Sequence, residues 1–164
     1  DLKMLDPVTG ADRTVNVDWN SSLALQTLKS RARPCGYWLA PTATDAVDRL
    51  RLLGVVVQRI AEPGSVLGET YRETDRIETV RKDGRGTVAG GGDIDRVSGA
   101  LVRSLVDVPA GSYYVGLNQP LANLALAALE PDTQNSFYAN RILEQLDQAA
   151  RVMAEPTVRL EALP

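Results

Sequence analysis

An α/β fold, a mixed β-sheet with flanking helices, is what this sequence predicts, and three observations predict it. Apolar and polar residues alternate over "RTVNVDW", and apolar residues recur at helical spacing over residues 139–153. Between Gly36 and Ile60 a strand-like run, a helical run and a second strand-like run follow one another closely. That third pattern implies one β-α-β crossover, because parallel neighbours need a connection that passes over a face of the sheet.

Taken in order, Val15, Val17 and Trp19 share one side of the first strand, with Thr14, Asn16 and Asp18 on the other. "GYWLAP" is a second apolar run. Thr42, with Asp45 three residues later, has the pattern of a capping box that opens a helix. Ala46, Val47, Leu50 and Leu53 fall on one side of that helix, and Gly54 ends it because glycine accepts a left-handed backbone cheaply. "VVVQRI" then completes the crossover.

From Leu67 to Val80 charges fall on both faces, which predicts an exposed or edge strand whose charge discourages foreign pairing. Glycines 84, 86, 90, 91, 92 and 99 predict a mobile Gly-rich loop at 82–99. "ALVRSLVDV" is a further strand with Val102, Val106 and Val108 on one face, and "SYYVGL" is the next. Two C-terminal helices follow. Gln119 stands where the first begins, and Pro120 suits its opening position because the missing N–H would have had no partner there. Leu121, Leu124, Ala125 and Ala128 form its core-facing stripe. In the second, Ala139, Ile142, Leu143, Leu146, Ala149, Ala150 and Met153 share a face, Arg141, Glu144, Asp147 and Arg151 lie opposite, and Pro156 stops it.

A chain of 164 residues buries roughly two thirds of its unfolded surface, so it folds without staples. Hydrophobic residues at 44% and charged residues at 24% fit an ordinary water-soluble globular protein, and no apolar run approaches the roughly 20 residues of a membrane span. Net charge is −3, from 18 basic and 21 acidic residues spread along the chain, so no summed field draws polyanions and nucleic acid is not an expected partner. The densest basic segment, with Lys29, Arg31 and Arg33, reads as solvated and paired with nearby carboxylates. Cys35 is the single cysteine, which excludes an internal disulfide, and its neighbours Tyr37, Trp38 and Leu39 suggest a small buried side chain. The chain opens on Asp1 with no leader pattern, which reads as a piece of a longer protein.

Histidine is absent, and this excludes more chemistry than any other feature of the composition. Serine and cysteine nucleophiles usually lose their proton to an imidazole, so no Ser-His or Cys-His dyad can be assembled here. Zinc sites built on H-x-x-E, H-E-x-x-H or Cys/His clusters are excluded likewise. Asp93 and Asp95 in "GGGDIDRV" match no complete calcium or magnesium loop and read as solvated charges. "GRGTVA", residues 84–89, fits G-x-G-x-x-A, but a pyrophosphate cradle needs a helix to start there, and three more glycines oppose one. Paired carboxylates can hydrolyse a glycoside without histidine, although sequence selects no pair. Tyr71, Tyr113, Tyr114, Trp19 and Trp38 read as core aromatics before groove aromatics, and Asn118 with Gln119 as a helix-start cap before a ligand contact.

Three longer stretches, "RPCGYWLAP", "AVDRLRLLGVVVQRIAEPGSVLGETYRET" and "VPAGSYYVGLNQPLANLALAALEPDTQNSF", resemble the region that follows the catalytic domain in large bacterial zinc carboxypeptidase-like proteins of the carboxypeptidase A type. The resemblance makes residues 1–20 a linker and first strand, and 21–164 a single α/β domain. In that family an H-x-x-E pair and a later histidine hold zinc. No stretch here matches that motif, so no catalytic, cofactor-binding or metal-binding residue is assigned to this chain.

The resemblance therefore implies a noncatalytic C-terminal domain that packs on the peptidase domain of the same chain or regulates access to it. Zinc is expected in that upstream domain, peptide substrate through the parent protein alone, and a periplasmic or secreted location. A homo-oligomer fits as well. The alternatives are an independent peptide or cell-wall binding module and a His-free, carboxylate-dependent enzyme.

Overall fold

A computed structural model describes residues 1–18, 26–83 and 86–164. They form two compact units, Asp1–Arg31 and Ala32–Pro164. In the first, β1 (Leu2–Leu5) pairs antiparallel with β2 (Asp12–Val15), Leu2 opposite Val15 and Leu5 opposite Asp12. The turn between them is set by Asp6, whose Oδ1 accepts the N–H groups of Val8 and Thr9, each at 2.9 Å. Gly10, at φ +69°, supplies the left-handed residue that lets the chain return. The alternation expected to run on to Trp19 stops pairing at Val15, and Trp19 itself lies outside the described residues.

The second unit is built on β3 (Gly36–Leu39), β4 (Gln58–Ile60), β5 (Gly64–Val80), the two-residue pair β6 (Lys82–Asp83) and β7 (Gly86–Thr87), β8 (Asp93–Val108), β9 (Tyr113–Gly116), β10 (Ala149–Val152) and β11 (Leu160–Ala162), with helices α1 (Thr44–Leu52) and α2 (Ala122–Leu129). Seven of these strands form one sheet in the order β11-β4-β9-β3-β10-β5-β8, and every bonded pair among the described residues is antiparallel. With 41% strand and 13% helix among the described residues, the architecture is mostly β, which corrects the expected α/β fold with a mixed sheet.

Two elements account for the correction. The first is the crossover. β3 and β4 each pair antiparallel with β9, so they run parallel to each other as the short helical link requires, but β9 lies between them and no parallel bond forms. The second is the expected last helix. Residues 131–145 are turns with Arg141 in the left-handed region at φ +56°, Leu146–Gln148 is a single 3-10 turn, and Ala149–Val152 is the interior strand β10. All four β10 residues are buried, and a short run buried on both faces carries the same apolar signal as a core helix. One C-terminal helix, α2, remains, beginning two residues after Pro120.

Smaller corrections follow from local bonding. α1 starts at Thr44 behind Ala43 with no side-chain cap, so the Thr42/Asp45 capping box is not formed. Gly54, at φ +87°, does close the helix, with its N–H on Arg51 O at 2.9 Å. β8 begins at Asp93 and pairs with β5 along 16 positions, which takes Asp93–Gly99 out of the expected Gly-rich loop. Beyond Glu69 the β5/β8 ribbon has no third strand among the described residues, so its charged residues lie on a two-stranded ribbon open to water. No helix among the described residues is long and apolar enough to cross a membrane.

The pleat sorts the core into two. Tyr37, Leu39, Tyr71, Val97 and Val115 face α1, α2 and the 137–146 segment, meeting Leu50, Ala125, Leu129, Tyr138 and Leu143. Trp38, Ile60, Val66, Val106, Tyr114 and Val152 form the opposite layer, with Val158 and Leu160 packed against it.

Within the first layer lies a charge the apolar pattern hides. Arg151 is 1% exposed. Its Nε donates to Glu130 Oε1 at 2.9 Å, one terminal nitrogen donates to Glu69 Oε2 and the other to the carbonyl of Ala32. Tyr37 Oη donates to the same Glu130 oxygen at 2.6 Å. Burial alone lowers the Arg151 pKa, but Glu130, the two nearby tyrosines and Glu69 outweigh it and hold the group above its ordinary value. Removing one partner of such a buried pair leaves uncompensated charge, so Arg151→Met is expected to lower unfolding stability by about 3–5 kcal/mol, and Arg151→Lys to lose less while lacking the three-way fork. Denaturant midpoints measure both; a methionine variant as stable as the parent contradicts the account.

Candidate functional site

A polar cavity forms where β3, β4 and β9 meet the segment after β10. The chain enters β3 through Cys35, whose N–H donates to Val152 O and whose carbonyl accepts from Leu117 N–H, both at 2.8 Å. Gly36 follows, and its lack of a side chain is what admits Tyr114: a Cβ at Gly36 would stand 2.5 Å from Tyr114 Oη and 2.6 Å from the ring. The ring therefore lies across the sheet over Gly36 and Gly116.

After β9 the side chain of Gln119 turns back. Its Nε2 donates to Gly116 O at 2.6 Å and Val56 O at 3.1 Å, while its Oε1 accepts Val56 N–H at 2.8 Å. Gln119 thus ties the approach to β4 onto the end of β9 and does not cap α2. The cavity, about 240 Å³, is lined by Cys35, Gln58, Tyr114, Asn118, Gln119 and Glu155 among others. Burial, then the Glu155 carboxylate and Cys35, push the Tyr114 hydroxyl up to about 12. At neutral pH it is a hydrogen-bond donor and not a base. Beside a carboxylate and three amide side chains, it suits recognition of a polar group.

The other residues singled out in the sequence lie elsewhere. Asp95 accepts from Arg141 Nη2 at 2.8 Å and Arg76 Nη1 at 3.4 Å, and the same arginines reach Glu78 and Glu73 at 2.7 and 2.8 Å. It is a member of a surface ion cluster and not a free loop charge, while Asp93 is exposed at the start of β8. Within "GRGTVA", Gly84 and Arg85 lie outside the described residues, and Gly86–Thr87 is the strand β7, so no helix opens there to hold a phosphate. Arg33 donates to Leu117 O at 3.1 Å, and Lys29 and Arg31 belong to the first unit. Tyr71, Tyr114 and Trp38 are buried in the two core layers, Tyr113 packs at the edge of one, and Cys35 is half-buried at the cavity wall. Sequence reasoning missed the Arg151 cluster, placing Arg151 on a solvent face; the signal available was a lone charge inside the buried-strand run "AARVM".

Among the described residues no group of three or more His, Cys, Asp or Glu side chains could hold a metal ion. With histidine absent, the donor set does not fit the zinc that the family resemblance implies for a catalytic domain, and no step is assigned to a metal here.

The chain is similar to proteins named carboxypeptidase 2. It is 33% identical to that of Trichophyton tonsurans and 32% identical to that of Trichophyton rubrum, each over 124 residues, or 74% of this chain and 21% of the relative. The probable carboxypeptidase 2 of Arthroderma benhamiae is 31% identical over 122 residues, covering 73% of this chain and 22% of its own. The chain thus spans about a fifth of the length of the curated relatives it matches. These relatives are fungal and do not carry the expected bacterial origin. No family model matches the chain, and no solved structure matches it.

Two measurements test the geometry of the cavity and of the Asp95 ion cluster. Gly36→Ala is expected to cost about 1–3 kcal/mol through the clash with Tyr114, and much less in a Tyr114→Ala background; equal costs in both backgrounds would show that the ring does not depend on the glycine. The hydrogen bond from Arg141 holds the Asp95 carboxyl below the usual carboxylate range. A depressed carboxylate adds stability above its unfolded value and loses it as pH falls through the folded one. Thermal midpoints followed from neutral into acid pH should therefore fall less for Asp95→Asn than for the parent, and parallel curves would refute the linkage.

Proposed function

We propose that this chain is a noncatalytic region of a carboxypeptidase-like hydrolase, packing against the peptidase part of the same protein or limiting access to it. The observation that carries the reading is the likeness to carboxypeptidase 2 proteins over only about a fifth of their length, by a chain that has no histidine. In this reading proteolysis, and the zinc that the resemblance implies, belong to the remainder of the protein, which is exported. Peptide substrate meets this region through its parent.

The experiment compares the full reading frame with the 164-residue chain. Release of C-terminal residues from peptides is expected from the longer protein and absent from the shorter one, with or without added zinc. Cleavage by the 164-residue chain alone would overturn the reading, as would a native gene product no heavier than 17.7 kDa.

A second reading, a module that binds peptide on its own, is favoured by the cavity bearing Tyr114, Asn118 and Glu155. Calorimetric titration of the 164-residue chain with peptides separates the two: heat that vanishes in Tyr114→Phe and Asn118→Ala supports binding, and no heat supports the packing role.

A further inference from the structure

Helix α1 carries more apolar surface than this fold uses. It buries Ala46, Val47 and Leu50. The same spacing assigns Leu53 to that stripe, yet Leu53 is 50% exposed. Leu52, on a face otherwise made of Asp45, Asp48, Arg49 and Arg51, is 86% exposed, and Val56, just past the Gly54 turn, is 61% exposed. Three large aliphatic side chains thus stand in water within five consecutive positions.

The turn that displays them is tied down and not a frayed end. Leu53 N–H donates to Arg49 O at 3.1 Å and Val55 N–H to Leu50 O at 2.9 Å, while Gln119 bonds both backbone groups of Val56. A concavity lies on each side: one of about 400 Å³ lined by Leu52, Leu53, Phe137 and Ile142, the other of about 330 Å³ lined by Val56, Val57 and Leu163 among others. Fixed apolar knobs flanked by hollows are the relief that an interface core needs, and a rim of both charge signs surrounds them.

We propose that the face formed by Leu52, Leu53 and Val56 is the docking surface for the rest of the carboxypeptidase-like protein; this rests on the reading under Proposed function. In relatives of which this chain spans about a fifth, about four-fifths of the length lies outside the matched region and is joined to it covalently. That tethered chain is present at high effective concentration, and domain interfaces within one chain are where exposed aliphatic residues are normally covered. The partner surface is apolar, supplies side chains to the two hollows, and carries acidic and basic groups opposite Arg49, Arg51, Asp45 and Asp48.

Hydrogen exchange read by mass spectrometry on the full-length protein and on the 164-residue chain tests this. Peptides covering residues 50–58 should exchange about tenfold more slowly in the full-length protein. Leu52→Asp with Val56→Asp should restore fast exchange there while leaving the thermal unfolding of the 164-residue chain in place. Equal exchange at 50–58 in both proteins overturns the proposal. If other peptides of the second unit slow instead, the docking face lies elsewhere and the proposed function stands; if none slows, both fail. Slow exchange at 50–58 already in the shorter chain, with a doubled mass by light scattering, makes a second copy the occupant and also overturns it.

Discussion

Arg151 lies in β10, an interior strand of the sheet, with its guanidinium almost wholly out of water, and the arrangement of its neighbours follows from satisfying it. Tyr37 on β3 and Glu69 on β5 stand directly opposite it in register, and Glu130, where α2 ends, completes the set. A slip of one residue in β10 would turn the guanidinium to the other face, among Trp38, Val66 and Tyr114, where the packed layer is apolar. The desolvation penalty of a charge is several kcal/mol, so that alternative is closed. The charge therefore specifies register as well as contributing cohesion. A steric condition sits beside it: a Cβ on Gly68 would stand 2.9 Å from the carbonyl of Arg151, so β5 comes close enough to pair because that residue is glycine.

With β10 fixed, the pleat dictates the rest. Tyr37 and Leu39 turn to the helical side and Trp38 to the other, which leaves one face for α1 and α2 and the second for the segment that crosses back to β11. Past Glu69 the β5/β8 ribbon has no third strand among the described residues; Tyr71 and Val97 turn into the core, and the exposed positions between them and the tip are mostly charged. Arg76, Asp95 and Arg141 join that ribbon to the turn after Tyr138 by ion pairs, each partly exposed and individually of small value. The positive φ of Arg141 is part of the same joint, since that turn carries the side chain back to Asp95 and Glu78.

What the sequence made legible was local. The strand at "GYWL", the glycine stop after α1, the alanine-rich α2 and the valines of β8 all show their period within a few neighbours. What it hid was decided by distant residues. No pattern near Val55–Ile60 announces that Tyr113–Gly116 will insert beside it, so the crossover was readable and the missing parallel bond was not. The run from Ala139 to Met153 has the spacing of a helix because a strand buried on both faces also lacks alternation; the left-handed Arg141 and the side chain of Gln148, which accepts the N–H groups of Glu144 and Gln145, break it up. At the candidate site, Asn118 and Gln119 were visible as a polar turn, but their link to Val56 and the dependence of Tyr114 on Gly36 span tens of residues.

The use the chain makes of its charges bears on what it can do. General acid–base work needs two carboxylates facing a shared, accessible space with their proton affinities set apart. Here Glu69 and Glu130 are engaged with Arg151, and Asp95 with Arg141 and Arg76. The guanidinium of Arg141 holds the Asp95 carboxyl below its usual range, which makes it a poor proton donor, and there is no imidazole to take over the task. Glu155, at the cavity wall, lies beside a tyrosine whose hydroxyl keeps its proton at neutral pH. These charges thus organise strands and turns, while exposed aliphatic side chains without an internal use include Leu52, Leu53 and Val56.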